Sequence, residues 1–400
     1  MVHLTICIPT RNRQAYCMET LTALAEADGA DFEVLVGDNS DDPAPLAEFF
    51  RTILKDSRFR LIPPGPAVLP MVGNWERLIE QAAGRWISVI GDDDHIDPRV
   101  TGLIRRCEVL YRDVDAISWD PMSFHWPDNR PVPTLASIPM TSAIALRPKA
   151  DLADRLFRWS EGRRRPSVGV GLYHGAVRAS LMQRIRQTYG GRFFEHPVVD
   201  WENTCKVVAE AGKIVHCERP FSVLGACAAS NSAATLSTET MKTRLDIFER
   251  ESAGCISLDQ PSFPFSLFDP GVSLCLCIAT TIAWFCQAHG VDQTGFGVNF
   301  ARAAIDECRY CVTPEEYAAR VGCFARGFAA WEDGRWAGHF RPEPFKPPKT
   351  VNRLSGLSHD TLYIRESGIG PATPAAFYRF GENAILPVEA VVTGAKVFAP

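Results

Sequence analysis

The sequence lacks several features that would each indicate a class of protein. The first residues show no basic stretch followed by an apolar segment and a cleavage site, so we expect no secretory signal and a cytoplasmic protein. No GxGxxG fingerprint follows the first predicted strand, and no GxxxxGK[ST] loop is present, which argues against nicotinamide-dependent enzymes and P-loop nucleotidases. A net charge of -5 provides no overall field that attracts nucleic acid. Any anion-binding site must therefore be local.

Long apolar runs and a disulfide framework are also missing. The longest uncharged apolar stretch, residues 271–288, only reaches the lower limit of membrane-spanning length, and it is predicted to be a buried helix. Thirteen cysteines, an odd number scattered along a long chain, are typical of reduced, buried thiols. Peripheral association with the inner face of a membrane and formation of a homo-oligomer are left open.

The length and the apolar content of the chain suffice for more than one hydrophobic core. The chain has 400 residues, of which 46% are hydrophobic and 22% charged, close to the averages of globular proteins. Longer helical patterns begin after about residue 237, and a Pro-rich stretch begins at residue 341. The predicted domains are an α/β domain over residues 1–236, a mainly helical domain over 237–340, and a connector with a C-terminal extension of unassigned structure over 341–400.

Strand and helix patterns alternate along the first domain. Short apolar, β-rich runs predict strands at residues 4–8, 32–36, 58–62, 85–90, 116–119 and 213–217, and the segments between most of them have helical periodicity. Such alternation indicates βαβ crossovers, and therefore a mixed, mostly parallel, Rossmann-like sheet flanked by helices. The Pro-rich segment 121–139 is predicted to break regular structure.

Acidic residues follow two of these strands. Asp38 ends the second strand pattern, and Asp92, Asp93 and Asp94 come directly after the fourth. Ligands bind at the carboxyl ends of the strands in such sheets, and a divalent cation would offset the repulsion among three adjacent carboxylates. Oxygen ligands of this kind suit Mg²⁺ or Mn²⁺. A solvated acidic turn is the alternative interpretation.

Three segments of the first hundred residues, in this order, resemble family 2 type inverting glycosyltransferases with the GT-A fold: TICIPTRNR, FEVLVGDNSDD and GNWERLIEQAAGRWISVIGDDDHIDP. This resemblance implies that nucleotide-sugar binding falls on Pro9, Thr10, Asn12, Asp38 and Asp92. It also implies that Asp93 and Asp94 bind Mn²⁺ or Mg²⁺. The sequence departs from the family pattern at Gly91, where many members have the first aspartate of their DxD-type motif.

A weaker resemblance continues to about residue 235. The segment FFEHPVVDWENTCKVVAEAGKIVHCERPFSVLGACAASNS is similar to the family's catalytic region, and Asp200 matches its general base. Val199 stands where family members commonly have a glutamate before that aspartate. Glu195, His196 and Glu202 therefore remain rival candidates for the base, and an N-cap role for Asp200 is a further alternative.

The resemblance implies a metal-dependent inverting transferase of polysaccharide biosynthesis. It would move a sugar from a nucleotide donor, expected to be a UDP-sugar, to a hydroxyl of a glycan or lipid-linked glycan. One alternative is a nucleotidyltransferase that makes the sugar nucleotide, although Arg11 and Arg13 lack the flanking glycines that such an enzyme needs. Another is a non-catalytic scaffold that binds a nucleotide-sugar or a glycan.

Overall fold

The predicted alternation of strands and helices is confirmed by a computed structural model, which describes residues 2–29, 31–130, 134–230, 260–347 and 355–394 together with Arg250. The strands are β1 Leu4–Thr10, β2 Phe32–Asp38, β3 Phe59–Ile62, β4 Trp86–Val89, β5 His95–Ile96, β6 Ala116–Trp119, β7 Met122–His125, β8 Leu135–Pro139, β9 Ile144–Arg147, β10 Gly175–Arg178, β11 Ile214–Cys217, β12 Ser222–Ala226, β13 Gly356–Ser358 and β14 Thr361–Arg365. The α-helices are α1 Gln14–Ala25, α2 Ala44–Thr52, α3 Met71–Gln81, α4 Val100–Leu110, α5 Lys149–Phe157, α6 Ala179–Thr188, α7 Val199–Glu210, α8 Leu274–His289, α9 Phe296–Cys308, α10 Pro314–Ala330, α11 Pro374–Glu382 and α12 Val388–Thr393.

Two sheets organise the described part of the chain. The larger has eight strands in the order β3-β2-β1-β4-β10-β6-β11-β9, and the smaller has six in the order β13-β14-β8-β7-β12-β5. In the larger sheet β3, β2, β1 and β4 are mutually parallel, whereas β10 runs antiparallel to both of its neighbours. The carboxyl ends of β1, β2 and β4 therefore meet at one edge of the sheet.

Both faces of the larger sheet are buried, which explains the nearly continuous apolar character of its parallel strands. In β1, Ile6 and Ile8 point into a core that α1, α2 and α4 cover, and Cys7 points into the core on the opposite side. This alternation follows from the two-residue period of a strand. Helices α3 and α7 cover the second side, so α7 is held against the face of the sheet.

The predicted apolar helix of the second region is α8, and it is buried as expected. Ser273 caps its N-terminus, since its Oγ accepts a hydrogen bond from the Leu276 amide, and Gly290 ends it in the left-handed region at φ 66°. Leu276 and Ile282 pack in the same core as α7, together with Phe300 of α9 and Phe324 of α10. Among the described residues, none of the helices combines the length and apolar character that a membrane crossing requires.

The prediction that residues 121–139 break regular structure is wrong, because β7 and β8 lie within that segment. The local pattern could not show these strands, since β7 pairs with β12 and β8 pairs with β14, both distant in sequence. Prolines flank them or end them, which satisfies the requirement that proline stay out of a central strand. The C-terminal extension thus adds strands to the smaller sheet, and α11 packs on β12.

Two further expectations have different outcomes. The twelve cysteines of the described residues are buried and form no disulfide, as predicted. The predicted boundary at residue 236 lies outside the described residues, so the division into domains 1–236, 237–340 and 341–400 stays a prediction.

Candidate functional site

Residues from the ends of β1 and β4 meet at one buried carboxylate. Asp92 is fully buried, and the Thr10 hydroxyl donates a hydrogen bond of 2.6 Å to its Oδ2. The Arg13 guanidinium forms an ion pair with the same carboxylate. Its Nη2 lies 2.6 Å from Oδ1, and its Nε lies 3.1 Å from Oδ2. Two loops about eighty positions apart in sequence are therefore joined by a two-point ion pair.

Arg13 also approaches the next carboxylate, since its Nη1 lies 3.5 Å from Asp93 Oδ1. Burial raises the pKa of Asp92 and of Asp93, and the positive charge of Arg13 opposes that rise. Arg13 is a site residue for which the sequence predicted no role. A signal for it was present, because an arginine in the loop after the first strand is the nearest candidate to balance three aspartates after a neighbouring strand.

Asp94 is the most completely hydrogen-bonded member of the acidic turn, the name used here for Asp92–Asp94. Its Oδ2 accepts the Gly91 amide at 2.6 Å and the Tyr173 hydroxyl at 2.8 Å, and His174 Nε2 lies 2.9 Å away. Its Oδ1 accepts the Gly225 amide at 2.7 Å. Burial opposes ionisation of Asp94, yet His174 and these amides hold its pKa below the usual value.

Residues at the end of β12 and just after it contact the acidic turn. The Cys227 amide donates to Asp93 Oδ2 at 3.2 Å, and a Cβ built on Gly225 would come within 1.8 Å of the Asp93 carbonyl oxygen. Only glycine allows this close approach. From other elements, Trp126 Nε1 donates to the Asp93 carbonyl at 2.9 Å, and the Thr20 hydroxyl lies 2.9 and 3.0 Å from the carbonyls of Asp92 and Asp94.

The alternative of a solvated acidic turn is wrong. Each of the three aspartates is at most 4% exposed, and each has charged or polar partners within the protein. Buried carboxylates are retained only when such partners offset their desolvation. The turn is therefore a fixed, preorganised feature of the fold.

Asp38, at the end of β2, is fully buried, and only one of its two carboxylate oxygens has a hydrogen-bond partner among the described residues. Its Oδ1 accepts the Ser40 amide at 2.9 Å, whereas its Oδ2 has no hydrogen-bond partner among the described residues. Asn12, with φ 55°, connects the loop after β1 to this position: its amide donates to Ser40 Oγ at 2.9 Å, and its side chain exchanges two hydrogen bonds with Asp41. Pro9 and Thr10 close β1 beside Gly37 and Asp38.

Asp200 lies in the first turn of α7, the helix that packs on the second side of the larger sheet. Burial raises the pKa of its carboxyl, and the backbone amides of Trp201 and of Asp200 itself oppose that rise. Burial raises the pKa of the Tyr173 hydroxyl, and the negative charges of Asp94, Asp93 and Asp200 add to that rise. The N-cap alternative for Asp200 is wrong, because Val198 occupies the N-cap position.

The three rival candidates for the base have other partners. The Lys206 ammonium lies 2.7 Å from Glu202 Oε1 and 3.0 Å from Glu195 Oε2, and Glu202 also accepts the amides of Glu195 and His196. Burial lowers the pKa of His196 to about 3, so its ring is neutral and a weak base. These groups hold the segment that leads into α7.

This site can offer a divalent cation only a few protein ligands. The Asp94 oxygens already accept several hydrogen bonds, and among the described ranges no group of three His, Cys, Asp or Glu side chains is arranged to hold a metal. Asp93 Oδ1, with its single long contact to Arg13, is the oxygen best placed for a cation. Mg²⁺ is commonly held by one or two carboxylates plus substrate phosphates, so the residues fit such an ion. The assignment of the metal to Asp93 and Asp94 stays a prediction.

Comparisons with known proteins bear on the family. Residues 5–154 match the model for glycosyl transferase family 2. Among solved structures, S. aureus TarS 1-349 in complex with UDP-GlcNAc is 15% identical at a TM-score of 0.49, covering 82% of this chain and 81% of that one. The mannosyltransferase PcManGT from Pyrobaculum calidifontis, in complex with GDP-Man and Mn²⁺, is 15% identical at a TM-score of 0.37, covering 84% of each chain.

Comparison with curated protein sequences gave no match. Because both TM-scores lie below 0.5, the assignment rests on the family match, which spans β1 through most of α5 and includes the acidic turn. The predicted fold class, a mixed sheet flanked by helices with a mainly helical C-terminal region, is confirmed. Residues 5–154 form a glycosyl transferase family 2 domain, and the chain is a glycosyltransferase, as the sequence predicted.

Proposed function

We propose that the protein transfers a sugar from a nucleotide donor, a UDP-sugar, to a hydroxyl of a glycan or lipid-linked glycan, with inversion at the anomeric carbon. The observation that carries the proposal is Asp38 Oδ2, a fully buried oxygen without a hydrogen-bond partner among the described residues. Such an oxygen costs free energy unless a ligand donates to it. The imide N–H of uracil is a donor of the required kind.

The proposed catalytic step places Asp200 next to the acceptor. Asp200 takes the proton of the acceptor hydroxyl as that oxygen attacks the anomeric carbon, and the bond from this carbon to the diphosphate oxygen breaks. The bonding electrons leave with the nucleoside diphosphate. One displacement of this kind inverts the anomeric centre. The raised pKa of Asp200 makes it a stronger base than an ordinary aspartate.

Negative charge that builds up on the diphosphate must be stabilised on the opposite side. Bound Mg²⁺ or Mn²⁺ would supply that stabilisation, and Asp93 is the residue proposed to hold it. Arg13 neutralises Asp92 and approaches Asp93, so the turn does not present three unbalanced charges to an anionic donor. Asp94 fixes the shape of the turn through its hydrogen bonds.

Nucleotide recognition is tested by thermal shift with UDP, GDP and CDP, each with and without MnCl₂. We expect UDP with Mn²⁺ to raise the melting temperature, because a ligand of the folded state stabilises it by mass action. Asp38→Asn should weaken UDP binding about tenfold or more. Asp42→Asn is the matched control, since Asp42 lies on the loop that follows Asp38 and is exposed. Equal UDP binding by Asp38→Asn and wild type would contradict the nucleotide assignment.

Transfer itself is tested by UDP release from UDP-glucose, UDP-galactose and UDP-N-acetylglucosamine over a panel of soluble and lipid-linked glycans. The product's anomeric configuration, read by NMR, decides between inversion and retention. Tight UDP binding without turnover on any acceptor would contradict the proposed transfer and favour the scaffold. Pyrophosphate release from UTP and a sugar phosphate would favour the nucleotidyltransferase.

A further inference from the structure

We propose that Tyr173 binds the acceptor: its ring is a platform on which a sugar ring of the acceptor stacks, between the acidic turn and the helix that carries Asp200. The inference rests on the proposed glycosyl transfer and deepens it by naming a residue of the acceptor subsite. The family comparison assigns nothing to Tyr173, which lies beyond the matched residues 5–154.

The backbone around Tyr173 is fixed to the strand that leads into the acidic turn. The Val89 amide donates to the Leu172 carbonyl at 2.8 Å, and the His174 amide donates to the Val89 carbonyl at 3.1 Å. Val89 is the last residue of β4, and the acidic turn begins three positions later. Tyr173 therefore sits directly beside the origin of that turn.

The segment before Tyr173 is fixed to the helix that carries Asp200. The Leu172 amide donates to Asn203 Oδ1 at 2.8 Å, and the Thr204 hydroxyl donates to the Val170 carbonyl at 2.8 Å. Asn203 and Thr204 lie one helical turn after Asp200, and the Thr204 hydroxyl also reaches the Asp200 carbonyl at 3.1 Å. One short segment thus joins the acidic turn to the candidate base.

The hydroxyl of Tyr173 is fixed by a hydrogen bond, while the residue as a whole stays partly exposed. Its hydroxyl donates to Asp94 Oδ2 at 2.8 Å, and its ring meets the His174 ring edge-on, with centroids 4.6 Å apart at 83°. The residue is nevertheless 37% exposed, although its partner Asp94 is only 1% exposed. An aromatic ring fixed in this way loses little conformational entropy when a ligand packs on it.

A sugar ring suits this surface chemically. Its C–H faces can pack on the aromatic ring, while its hydroxyls point sideways toward carboxylates, and ligand pockets commonly combine an aromatic wall with a few polar groups. The carboxylate of Asp200 is the one that the contacts of Val170 and Leu172 with α7 bring near this surface. Since Asp200 is the proposed base for the acceptor hydroxyl, the sugar on this ring is the acceptor's rather than the donor's.

Binding is tested without turnover by saturation-transfer NMR, using methyl glycosides of glucose, galactose, mannose and N-acetylglucosamine with the UDP- and Mn²⁺-loaded protein. Wild type and Tyr173→Phe should transfer saturation to the sugar ring protons of at least one glycoside, and Tyr173→Ala should not. Tyr310→Ala is the matched control, because Tyr310 is a 55% exposed tyrosine in the turn just after α9. If wild type binds none of these glycosides, or Tyr173→Ala binds them as wild type does, the inference is overturned.

Kinetic measurements distinguish the contribution of the Tyr173 ring from that of its hydroxyl. With an acceptor from the transfer screen, Tyr173→Ala should raise the acceptor KM about tenfold, with the donor KM unchanged, and Tyr173→Phe should keep the acceptor KM near that of wild type. Equal losses in both variants would show that only the hydrogen bond to Asp94 matters, and a changed donor KM would place the donor sugar on the ring. The protein could bind glycosides only when the Tyr173 ring is present and yet transfer no sugar. That result would support the acceptor-binding role of Tyr173 and contradict the proposed function.

Discussion

Arg13 and Asp92 form a two-point ion pair in which the carboxylate is fully buried and the guanidinium is 21% exposed. Arg13→Ala leaves the Asp92 charge without its partner, and loss of one member of a buried pair typically costs about 3 kcal/mol or more. We expect that decrease in the free energy of unfolding, measured by urea denaturation at pH 7. Arg51→Ala is the control, because it removes an exposed pair with Glu48 and should change the free energy of unfolding little. Equal stability of the two variants would show that Arg13 does not hold the acidic turn.

Removal of the proposed base should affect turnover rather than nucleotide binding. Asp200→Asn keeps the shape of the side chain, and we expect it to lower kcat by about 10²- to 10⁴-fold, the usual contribution of a general base. The UDP-induced thermal shift should stay as in wild type. Glu195→Gln is the comparison, since Glu195 is paired with Lys206 and should retain kcat within a few-fold. A large loss in Glu195→Gln and none in Asp200→Asn would exchange the two assignments.

The raised pKa of Asp200 predicts the pH dependence of catalysis. Asp200 must be unprotonated to accept the acceptor's proton, and burial moves its pKa above the ordinary value of 3.8. We expect kcat/KM to rise with pH through a midpoint above about 3.8 and then to level off. A profile of kcat/KM that stays flat across this acid range would argue against Asp200 as the base.

The same raised pKa predicts a stability effect of opposite sign. A carboxyl whose pKa is higher in the folded state than in the unfolded state makes folding less favourable as pH rises from the unfolded to the folded value. Asp200→Asn should therefore be more stable than wild type at pH 7, and the difference should disappear below about pH 3.8. Urea denaturation at both pH values measures it. Lower stability of the variant at pH 7 would mean that the ionised Asp200 has a stabilising partner.

The contact between β12 and the acidic turn should not tolerate a side chain. In Gly225→Ala the new Cβ would lie 1.8 Å from the Asp93 carbonyl oxygen, so the strand must move and the Gly225 amide must leave Asp94. We expect kcat to fall more than tenfold, with a weaker Mn²⁺-dependent thermal shift. Gly368→Ala is the control, because a Cβ there meets nothing within 4 Å. Wild-type activity in Gly225→Ala would show that the turn adapts to the larger residue.

The positions of the acidic and polar motifs were predictable because they depend on local patterns. Buried apolar runs predict β1, β2 and β4, and the residues that follow them must lie at the carboxyl edge of a parallel sheet. The proximity of Thr10, Asp38 and the acidic turn follows from that alone. The β7 and β8 strands were missed, since their partners β12 and β14 lie far along the chain and a Pro-rich pattern concealed them.

The sequence by itself determined which groups can do chemistry and at which strand ends they stand. Only the tertiary structure decided their individual states: Asp92 paired with Arg13, Asp94 enclosed by His174 and the Gly225 amide, and Asp38 left with an unpartnered oxygen. The physical reason is that burial and counter-charge set the state of a carboxylate. Both come from residues that the order of strands brings together, and no local pattern records that order.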